Sequence, residues 1–374
     1  MCYVTPKLKS GKILLLIYPL LFLLELFMAC YHPLLGAVVG RTAKGKQEIK
    51  ILGAMSDDYC QAYTNGKTVI GGDSAKFHNW SSSWYPIQTV TIPCGQCIGC
   101  RLQYSRDWAT RLMLENLDHD SSFFITLTYD DDHVPYSNKP QLDELNKTTY
   151  YNKTLAPDDL TKFWKRLRKH FPDCKIRYYA CGEYGDNTMR PHYHAIVYGL
   201  KFPPGDLKYL KTSPLGHDYF TSATLDKLWK YGFNMVAGVS WQSCAYVSRY
   251  VVKKLKGKMS DEYEKNGIVP PFVRMSNKPG IAANYYDVNK NVFLENKGIQ
   301  MPDGNFAPLP RSFLKKLADD KPDEYNIYMK ERSRLARSSF ESNLEKYEYK
   351  FFEQLELREH AHELGSKKLE RRIE

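Results

Sequence analysis

Residues 191–200 read PHYHAIVYGL, a composition typical of a β-strand. A second strand-like run at residues 176–181 precedes them across a turn-rich connection, so the two runs predict a hairpin with a long loop. Side chains two residues apart on a strand point to the same face of the sheet. The imidazoles of His192 and His194 are therefore expected to converge on one face, while Tyr193 points to the other.

Helical patterns alternate with strand patterns on both sides of this hairpin. From residue 101 to residue 255 the order is helix, strand, helix, strand, strand, helix, strand, helix. Hairpin-linked strands interleaved with helices predict an α+β fold, in which a largely antiparallel sheet is flanked by helices. Residues 130–151 are polar and contain two prolines, and residues 256–306 are rich in turn residues. Both are predicted to be loops.

Sequence character divides the chain into five segments. We predict a Cys-rich N-terminal segment at residues 28–118, a central α+β domain at 119–257, a loop-rich extension at 258–320 and a charged helical tail at 321–374. Residues 1–27 contain an apolar run preceded by lysines, the pattern of a short leader or anchor. Pro19 and Glu25 interrupt this run, which is also short for a membrane span. We therefore favour a non-native upstream extension, with the functional product starting at Met28.

The overall charge is basic. The 374 residues include 53 Lys and Arg against 42 Asp and Glu, a net charge of +11, and the charged tail at residues 321–374 carries none of this excess. Together with 28 Tyr and 17 Phe, such an excess suits a polyanion whose bases can stack, although a well-solvated basic surface is an equal alternative. The 43% hydrophobic content excludes wholesale disorder, and nine cysteines are too few for a disulfide scaffold.

The strand histidines form the first candidate site. Glu183 closes the preceding strand, from which its carboxylate could reach the face that carries His192 and His194. Two imidazoles and one carboxylate hold a divalent ion and leave coordination positions open for a phosphate oxygen. Two histidines in a strand are more often ordinary surface or core residues, so this pattern alone is weak.

A pair of tyrosines forms the second candidate site. Tyr246 and Tyr250 lie four residues apart in a predicted helix, on one face, with Lys253 a further turn along. A phenol can attack a phosphodiester if a metal polarises the phosphate and a cation supports the phenolate. Aromatic packing is the commoner use of tyrosines at this spacing.

Taken together, these patterns resemble a known family. The runs FITLT at residues 124–128, RPHYHAIVYG at 190–199 and YVSRYVVKK at 246–254 are similar to the three motifs of rolling-circle replication initiators with a His-hydrophobic-His motif. The runs MACYHP at residues 28–33, PCGQCIGCR at 93–101 and GEYG at 182–185 are similar to the replication initiators of gokushoviruses in the Microviridae.

The resemblance implies a rolling-circle nickase fold and a metal-dependent tyrosine transesterification. Such an enzyme nicks single-stranded origin DNA, keeps a 5′-phosphotyrosine intermediate and religates the product circle. The implied residues are two nucleophiles and a cation, Tyr246, Tyr250 and Lys253, with Mg²⁺ or Mn²⁺ held by Glu183, His192 and His194. Cations expected to bind DNA are Lys165, Arg166, Lys169, Arg249 and Lys254.

The resemblance also implies partners and a place of action. The partners are phage origin DNA, host DNA polymerase and a host helicase, because the sequence contains no Walker loop. The expected location is the cytoplasm of the bacterial host, without membrane contact. Two alternatives stay open: a non-catalytic zinc-containing nucleic-acid-binding protein, and a relaxase or transposase of the same chemistry. Relaxases commonly have a third histidine where Glu183 stands here.

Three cysteines are closely spaced at Cys94, Cys97 and Cys100. Thiols at CxxCxxC spacing supply three of the four tetrahedral positions of a Zn²⁺ ion. Cys30 or His32 is the expected fourth ligand, with Cys60 as a further candidate, and an iron–sulfur cluster is the alternative that fits less well. We predict a structural zinc clamp that holds the N-terminal segment.

Overall fold

The computed structural model describes residues 30–41, 47–54, 89–143, 145–185, 188–214, 216–254, 258–302, 304–347 and 351–370. The apolar run at residues 13–27 and Cys60 lie outside these ranges. Contacts divide the chain into two compact units: unit 1 comprises residues 1–100 and 291–370, and unit 2 includes residues 101–290. The five segments drawn from sequence character stay a prediction.

The elements are numbered along the described chain. The strands are β1 Leu34–Arg41, β2 Gln47–Ala54, β3 Thr89–Ile92, β4 Ser122–Tyr129, β5 Tyr136–Asp143, β6 Thr148–Lys153, β7 Arg177–Tyr184, β8 Pro191–Tyr198, β9 Leu207–Thr212, β10 Asp218–Ser222, β11 Gly232–Gly238, β12 Phe272–Met275, β13 Ile299–Gln300 and β14 Phe306–Ala307. The helices are α1 Ile98–Asn116, α2 Pro157–His170, α3 Ala223–Leu228, α4 Trp241–Lys254, α5 Lys258–Lys265, α6 Ala283–Glu295, α7 Arg311–Asp320, α8 Pro322–Tyr347 and α9 Phe351–Glu370.

Unit 2 is built on a seven-stranded sheet. Its order is β12-β7-β8-β4-β11-β10-β9, and every neighbouring pair is antiparallel. The predicted α+β fold with a largely antiparallel sheet is confirmed. The three central strands β7, β8 and β4 are almost fully buried, because helices cover both of their faces.

The two faces of this sheet carry different side chains. On the core face, Tyr193 and its neighbours pack against α2 and α3, which contribute Leu160, Phe163 and Leu225. The opposite face carries His192 and His194 and is called the histidine face here. Helix α1 covers part of the histidine face, where the Tyr198 hydroxyl donates to the Leu112 carbonyl over 2.8 Å.

A buried carboxylate ties α1 to the sheet. Glu115 is 3% exposed and accepts hydrogen bonds from Arg177 Nε, from His119 Nε2 and from the Ala282 amide. Burial by itself would raise the pKa of Glu115, but the hydrogen bonds from His119 and Arg177 hold it below its usual value. The carboxylate is therefore charged and fully bonded in the folded state.

Two predicted loops contain regular elements. Residues 130–151 were expected to be a loop, yet β5 and β6 pair there as a two-stranded hairpin. The prediction was wrong because Pro140 interrupts the register and the polar residues of β5 hide its alternation. Residues 256–306 contain α5, β12 and α6, of which the four-residue β12 completes the edge of the main sheet beside β7. Such a short strand offers too few residues for a periodic signal.

Unit 1 contains a three-stranded antiparallel sheet of order β2-β1-β3 and the small hairpin β13-β14. It also contains α7, α8 and α9, so the predicted helical tail is present. Among the described helices, none combines the length and the apolar character needed to cross a bilayer.

Candidate active site

Three potential metal ligands meet on the histidine face. In the β7–β8 register Glu183 lies directly opposite His192, and Cys181 lies opposite His194. The Nε2 atoms of His192 and His194 lie 3.0 Å and 2.9 Å from the same oxygen, Glu183 Oε1. Glu183 is 1% exposed and His194 is 6% exposed. The structure thus brings together the three residues that the sequence grouped, as a buried set that could hold a metal ion.

The hydrogen bonds of these side chains fit a metal centre. His192 Nδ1 donates to the Arg190 carbonyl over 3.0 Å, which leaves the lone pair of the neutral ring on Nε2. His194 Nε2 and Glu183 Oε2 are buried without a hydrogen-bond partner. Buried polar atoms of this kind are rare in folded proteins, and a coordinated cation would satisfy both.

The charge state of Glu183 also suits a cation. Burial alone would raise the pKa of Glu183, but hydrogen bonds and charge interactions with His192 and His194 lower it to about 2. Burial lowers the pKa of His194, against the opposing effect of Glu183. A carboxylate beside a neutral imidazole is the form in which both side chains coordinate divalent metals.

Two residues of β4 hold His194 in place, and sequence patterns did not reveal their role. Thr126 lies opposite His194 in the β4–β8 register, and its hydroxyl is 2.9 Å from His194 Nδ1. The Phe124 ring stacks on the His194 ring with 5.4 Å between the centroids. These contacts fix which ring nitrogen of His194 faces Glu183. Both residues belong to the run at residues 124–128 that resembles the first family motif.

Helix α4 places a tyrosine beside this set. Its first turn is held by a reciprocal pair: the Ser243 amide donates to Ser240 Oγ over 3.1 Å, and the Ser240 amide donates to Ser243 Oγ over 2.9 Å. Buried Cys244 and Val247 anchor the helix, whose Ala245 carbonyl accepts a hydrogen bond from Ser105. The Tyr246 ring consequently packs edge-on against the His194 ring, with 5.1 Å between the centroids.

The other α4 residues named from the sequence are placed by their backbone. Tyr250 lies one turn after Tyr246 on the same helix, and Arg249, Lys253 and Lys254 lie in its last turns. Their side chains are outside the described part of the chain. The pairing of Tyr246 with Tyr250, and the part played by the three cations, stay predictions.

The three predicted DNA-binding cations of α2 lie on the other side of the sheet. Lys165 and Lys169 are exposed, but α2 packs on the core face. Arg166 Nε donates to the Leu228 carbonyl over 2.7 Å, and its guanidinium lies 5.6 Å from the Tyr231 ring centroid. This placement corrects the expectation of DNA contacts next to the candidate metal ligands. Binding of more distant DNA by these residues stays a prediction.

An open part of the histidine face was also missed. Phe233 on β11 lies opposite Thr128, which lies opposite His192, so the three side chains form one row across the sheet. Phe233 is 67% exposed although its strand is an interior one. Gly232 makes the chain's entry into β11 possible, because a Cβ there would lie 2.4 Å from the Asp130 nitrogen. Farther out, the exposed Lys211 has its Nζ 5.9 Å from the Tyr219 ring centroid.

A second group of potential metal ligands lies in unit 1. The thiols of Cys30, Cys94, Cys97 and Cys100 lie within 4.8 Å of one another. Of the proposed fourth ligands, the structure therefore brings Cys30 to the other three. His32 Nε2 instead lies 2.7 Å from Glu359 Oε2. Hydrogen bonds from the Cys100 and Cys30 thiols lower the pKa of Cys97, so the group favours a shared thiolate charge.

Comparison with known proteins places this site in a family. A family model described as a replication-associated protein of the ORF2 type matches residues 122–255. The chain is 33% identical over 278 residues to Replication-associated protein ORF2 of Spiroplasma virus 4, which covers 72% of this chain and 80% of that protein. The chain belongs to the replication-associated protein family of gokushovirus-type phages.

Two further relatives carry similar names. Replication-associated protein VP4 of Bdellovibrio phage phiMH2K is 29% identical over 251 residues, which cover 66% of this chain and 75% of that protein. Replication-associated protein ORF4 of Chlamydia phage 1 is 29% identical over 275 residues, which cover 68% of this chain and 62% of that protein. No solved structure gives a significant match. The residues matched by the family model run from β4 to α4 and include all three candidate ligands and both tyrosines.

Proposed function

We propose that this protein is a site-specific endonuclease and strand transferase that starts rolling-circle replication of a circular phage genome. Membership of the replication-associated family supports a role in initiating phage replication. The observation that carries the proposal is the position of Tyr246, whose ring lies 5.1 Å from the ring of His194. A candidate nucleophile and a candidate metal site thus share one face of the sheet.

The divalent ion is proposed to be Mg²⁺ or Mn²⁺, held by Glu183, His192 and His194. When bound, such an ion orients the scissile phosphate and offsets the negative charge that develops in the transition state. The protein's own contribution is a fixed ligand set: the Arg190 carbonyl holds the His192 ring, and Thr126 holds the His194 ring. A ligand set fixed in advance does not have to reorganise when the phosphate arrives.

The proposed reaction is a transesterification. The phenol oxygen of Tyr246 attacks the phosphorus, so an O–P bond to the tyrosine forms and the bond from phosphorus to the 3′ oxygen breaks. The phenol loses its proton and the departing 3′ oxygen gains one, so no outside oxidant or cofactor is consumed. The free 3′ hydroxyl is then available to a host polymerase. After one round, Tyr250 would cut the regenerated origin, and the 3′ hydroxyl would close the circle by the reverse reaction.

Single-stranded DNA is proposed to lie over the open part of the histidine face. Phe233 stands two strands from His192, about 10 Å away at the usual strand spacing. An exposed aromatic ring on an interior strand offers a stacking surface to a base, and Lys211 adds positive charge farther along the same face. A nucleotide next to the one at the candidate ligands could therefore stack on Phe233. The proposed place of action is the cytoplasm of the bacterial host, where phage DNA and the host polymerase and helicase are present.

The test is formation of a covalent protein–DNA adduct. Full-length protein is incubated with a single-stranded phage-origin oligonucleotide and Mn²⁺, then separated in denaturing gel. We expect an adduct that requires the metal and is absent from the Tyr246→Phe/Tyr250→Phe double variant. An adduct of equal yield in the double variant would refute the nucleophile assignment. Tight binding of the oligonucleotide without any adduct would favour the alternative of a non-catalytic nucleic-acid-binding protein.

A further inference from the structure

The four-cysteine group is assembled by strand pairing in unit 1. Strand β1 begins at Leu34 and β3 ends at Ile92, and these two residues are direct partners in the antiparallel register. Cys30 lies just before β1 and Cys94 just after β3, so the pairing brings both to the same end of the small sheet. Cys97 and Cys100 follow at the start of α1. The sheet therefore supplies the one ligand that local CxxC spacing cannot.

Backbone amides surround these sulfur atoms. The Cys94 amide donates to Cys30 Sγ over 3.1 Å, and the Tyr31 amide donates to Cys97 Sγ over 3.3 Å. The Cys97 amide donates to Cys94 Sγ over 3.3 Å, and the Cys100 amide donates to Cys97 Sγ over 3.5 Å. Donors of this kind stabilise sulfur that carries negative charge. The surroundings thus suit thiolates, the form of cysteine that binds metals.

The C-terminal helix α9 contacts the same group through one of its faces. Leu355 is 4% exposed and packs in one cluster with Cys30, Tyr31 and Cys97. One turn later Glu359 pairs with His32, and His362 hydrogen-bonds to the Tyr31 hydroxyl. Residues four and three apart share a helix face, so all three contacts belong to a single face of α9. Tyr31 links the two features, because its amide bonds a ligand sulfur and its hydroxyl bonds the helix.

We propose that Cys30, Cys94, Cys97 and Cys100 hold one Zn²⁺ ion, and that this ion keeps α9 docked on residues 30–32. Four thiolates at a Zn–S distance of about 2.3 Å lie about 3.8 Å apart in a tetrahedron. The Cys94 and Cys100 sulfur atoms are 4.0 Å apart, and all four lie within 4.8 Å. A four-iron cluster binds each thiolate to a different iron atom and would spread the sulfur atoms farther. A single ion is therefore the better fit, and four protein ligands leave no position open for catalysis.

The first experiment measures metal content. Full-length protein is purified under reducing conditions from zinc-supplemented cells, and zinc, iron and sulfide are determined together. We expect one zinc per chain, retained in Cys174→Ser and lost in Cys94→Ser. Cys174 is the matched control, because it is a partly exposed free cysteine outside the group. Iron with sulfide, or zinc unchanged in Cys94→Ser, would overturn the assignment.

The second experiment tests the link to α9, and native protein serves even if cysteine variants fail to fold. Zinc is removed with a chelator, and trypsin cleavage after Arg358 in α9 is followed by mass spectrometry. We expect cleavage at least tenfold faster without zinc, and recovery when zinc is restored. Tyr31→Phe should retain the zinc yet accelerate cleavage, which separates docking from metal binding. Equal cleavage rates with and without zinc would refute the link. Neither readout depends on DNA nicking.

Discussion

Replacing Phe233 with alanine should weaken the binding of single-stranded DNA. The ring is 67% exposed and lies in the same cross-strand row as Thr128 and His192. Stacking of a base on an aromatic side chain contributes about 1–3 kcal/mol. Loss of this term predicts a dissociation constant about 5- to 140-fold higher. The change in stability should be small, since the buried third of the ring accounts for about 0.5–1 kcal/mol.

The sheet offers a matched control on its other face. Tyr209 is 62% exposed, and it pairs with Phe220, which points to the core face. Tyr209→Ala removes a comparable aromatic ring from the same sheet without touching the proposed DNA path. Phe233→Tyr keeps an aromatic ring at position 233 and should bind DNA nearly as the parent protein does.

The assay is fluorescence anisotropy with a labelled single-stranded oligonucleotide. A chelator is present so that no strand is cut, and the salt concentration is fixed because phosphate contacts depend strongly on it. Melting temperatures of all variants are recorded in parallel. If Phe233→Ala and Tyr209→Ala bind with the same affinity as the parent protein, DNA does not lie over this face and the proposed path is wrong.

Three further predictions concern other parts of unit 2. His192→Ala should abolish nicking while leaving metal-free DNA affinity within about twofold, since binding depends mainly on phosphate contacts; normal nicking would show that the ligand set is wrong. Thr126→Val should raise the Mn²⁺ concentration needed for nicking about tenfold, and Thr126→Ser should restore it; an unchanged Mn²⁺ requirement would contradict a positioning role for this hydroxyl. Glu115 has a folded-state pKa below its unfolded value, so it contributes stability above the ordinary carboxyl range that is lost as pH falls through the folded pKa. Glu115→Gln should therefore be less stable near neutral pH and should show a flatter loss between about pH 5 and pH 3 in chemical denaturation; a parallel pH profile would contradict this.

The sequence predicted the local geometry of the site well. The alternation of a strand puts His192 and His194 on one face, and the helical repeat places Tyr246 one turn before Tyr250. Both rules depend only on neighbouring residues, so one sequence is enough to apply them. The strand preceding the histidines was also predictable, which is why Glu183 could be named.

Features set by distant contacts were harder to predict. The apolar stripe of α2 shows which side of the helix is buried, but not which face of the sheet receives it, and Lys165 and Lys169 were therefore misplaced relative to the site. The exposure of Phe233 depends on where the helices end over the sheet, and its strand pattern is that of a buried residue. Cys30 could be named only as one of several candidates, because its approach to Cys94 depends on the pairing of β1 with β3.

The discontinuity of unit 1 has a consequence for synthesis on the ribosome. Tyr31 and its helix partner His362 are separated by 331 residues, which a ribosome working at about 5–20 residues per second needs about 15–65 s to add. During this interval Cys30, Cys94, Cys97 and Cys100 have already emerged, whereas α9 does not yet exist. All of residues 101–290 also emerge before α9. The nascent thiols therefore depend on a reducing environment until the last helix is made, and oxidative stress during infection would damage newly made chains more than finished ones.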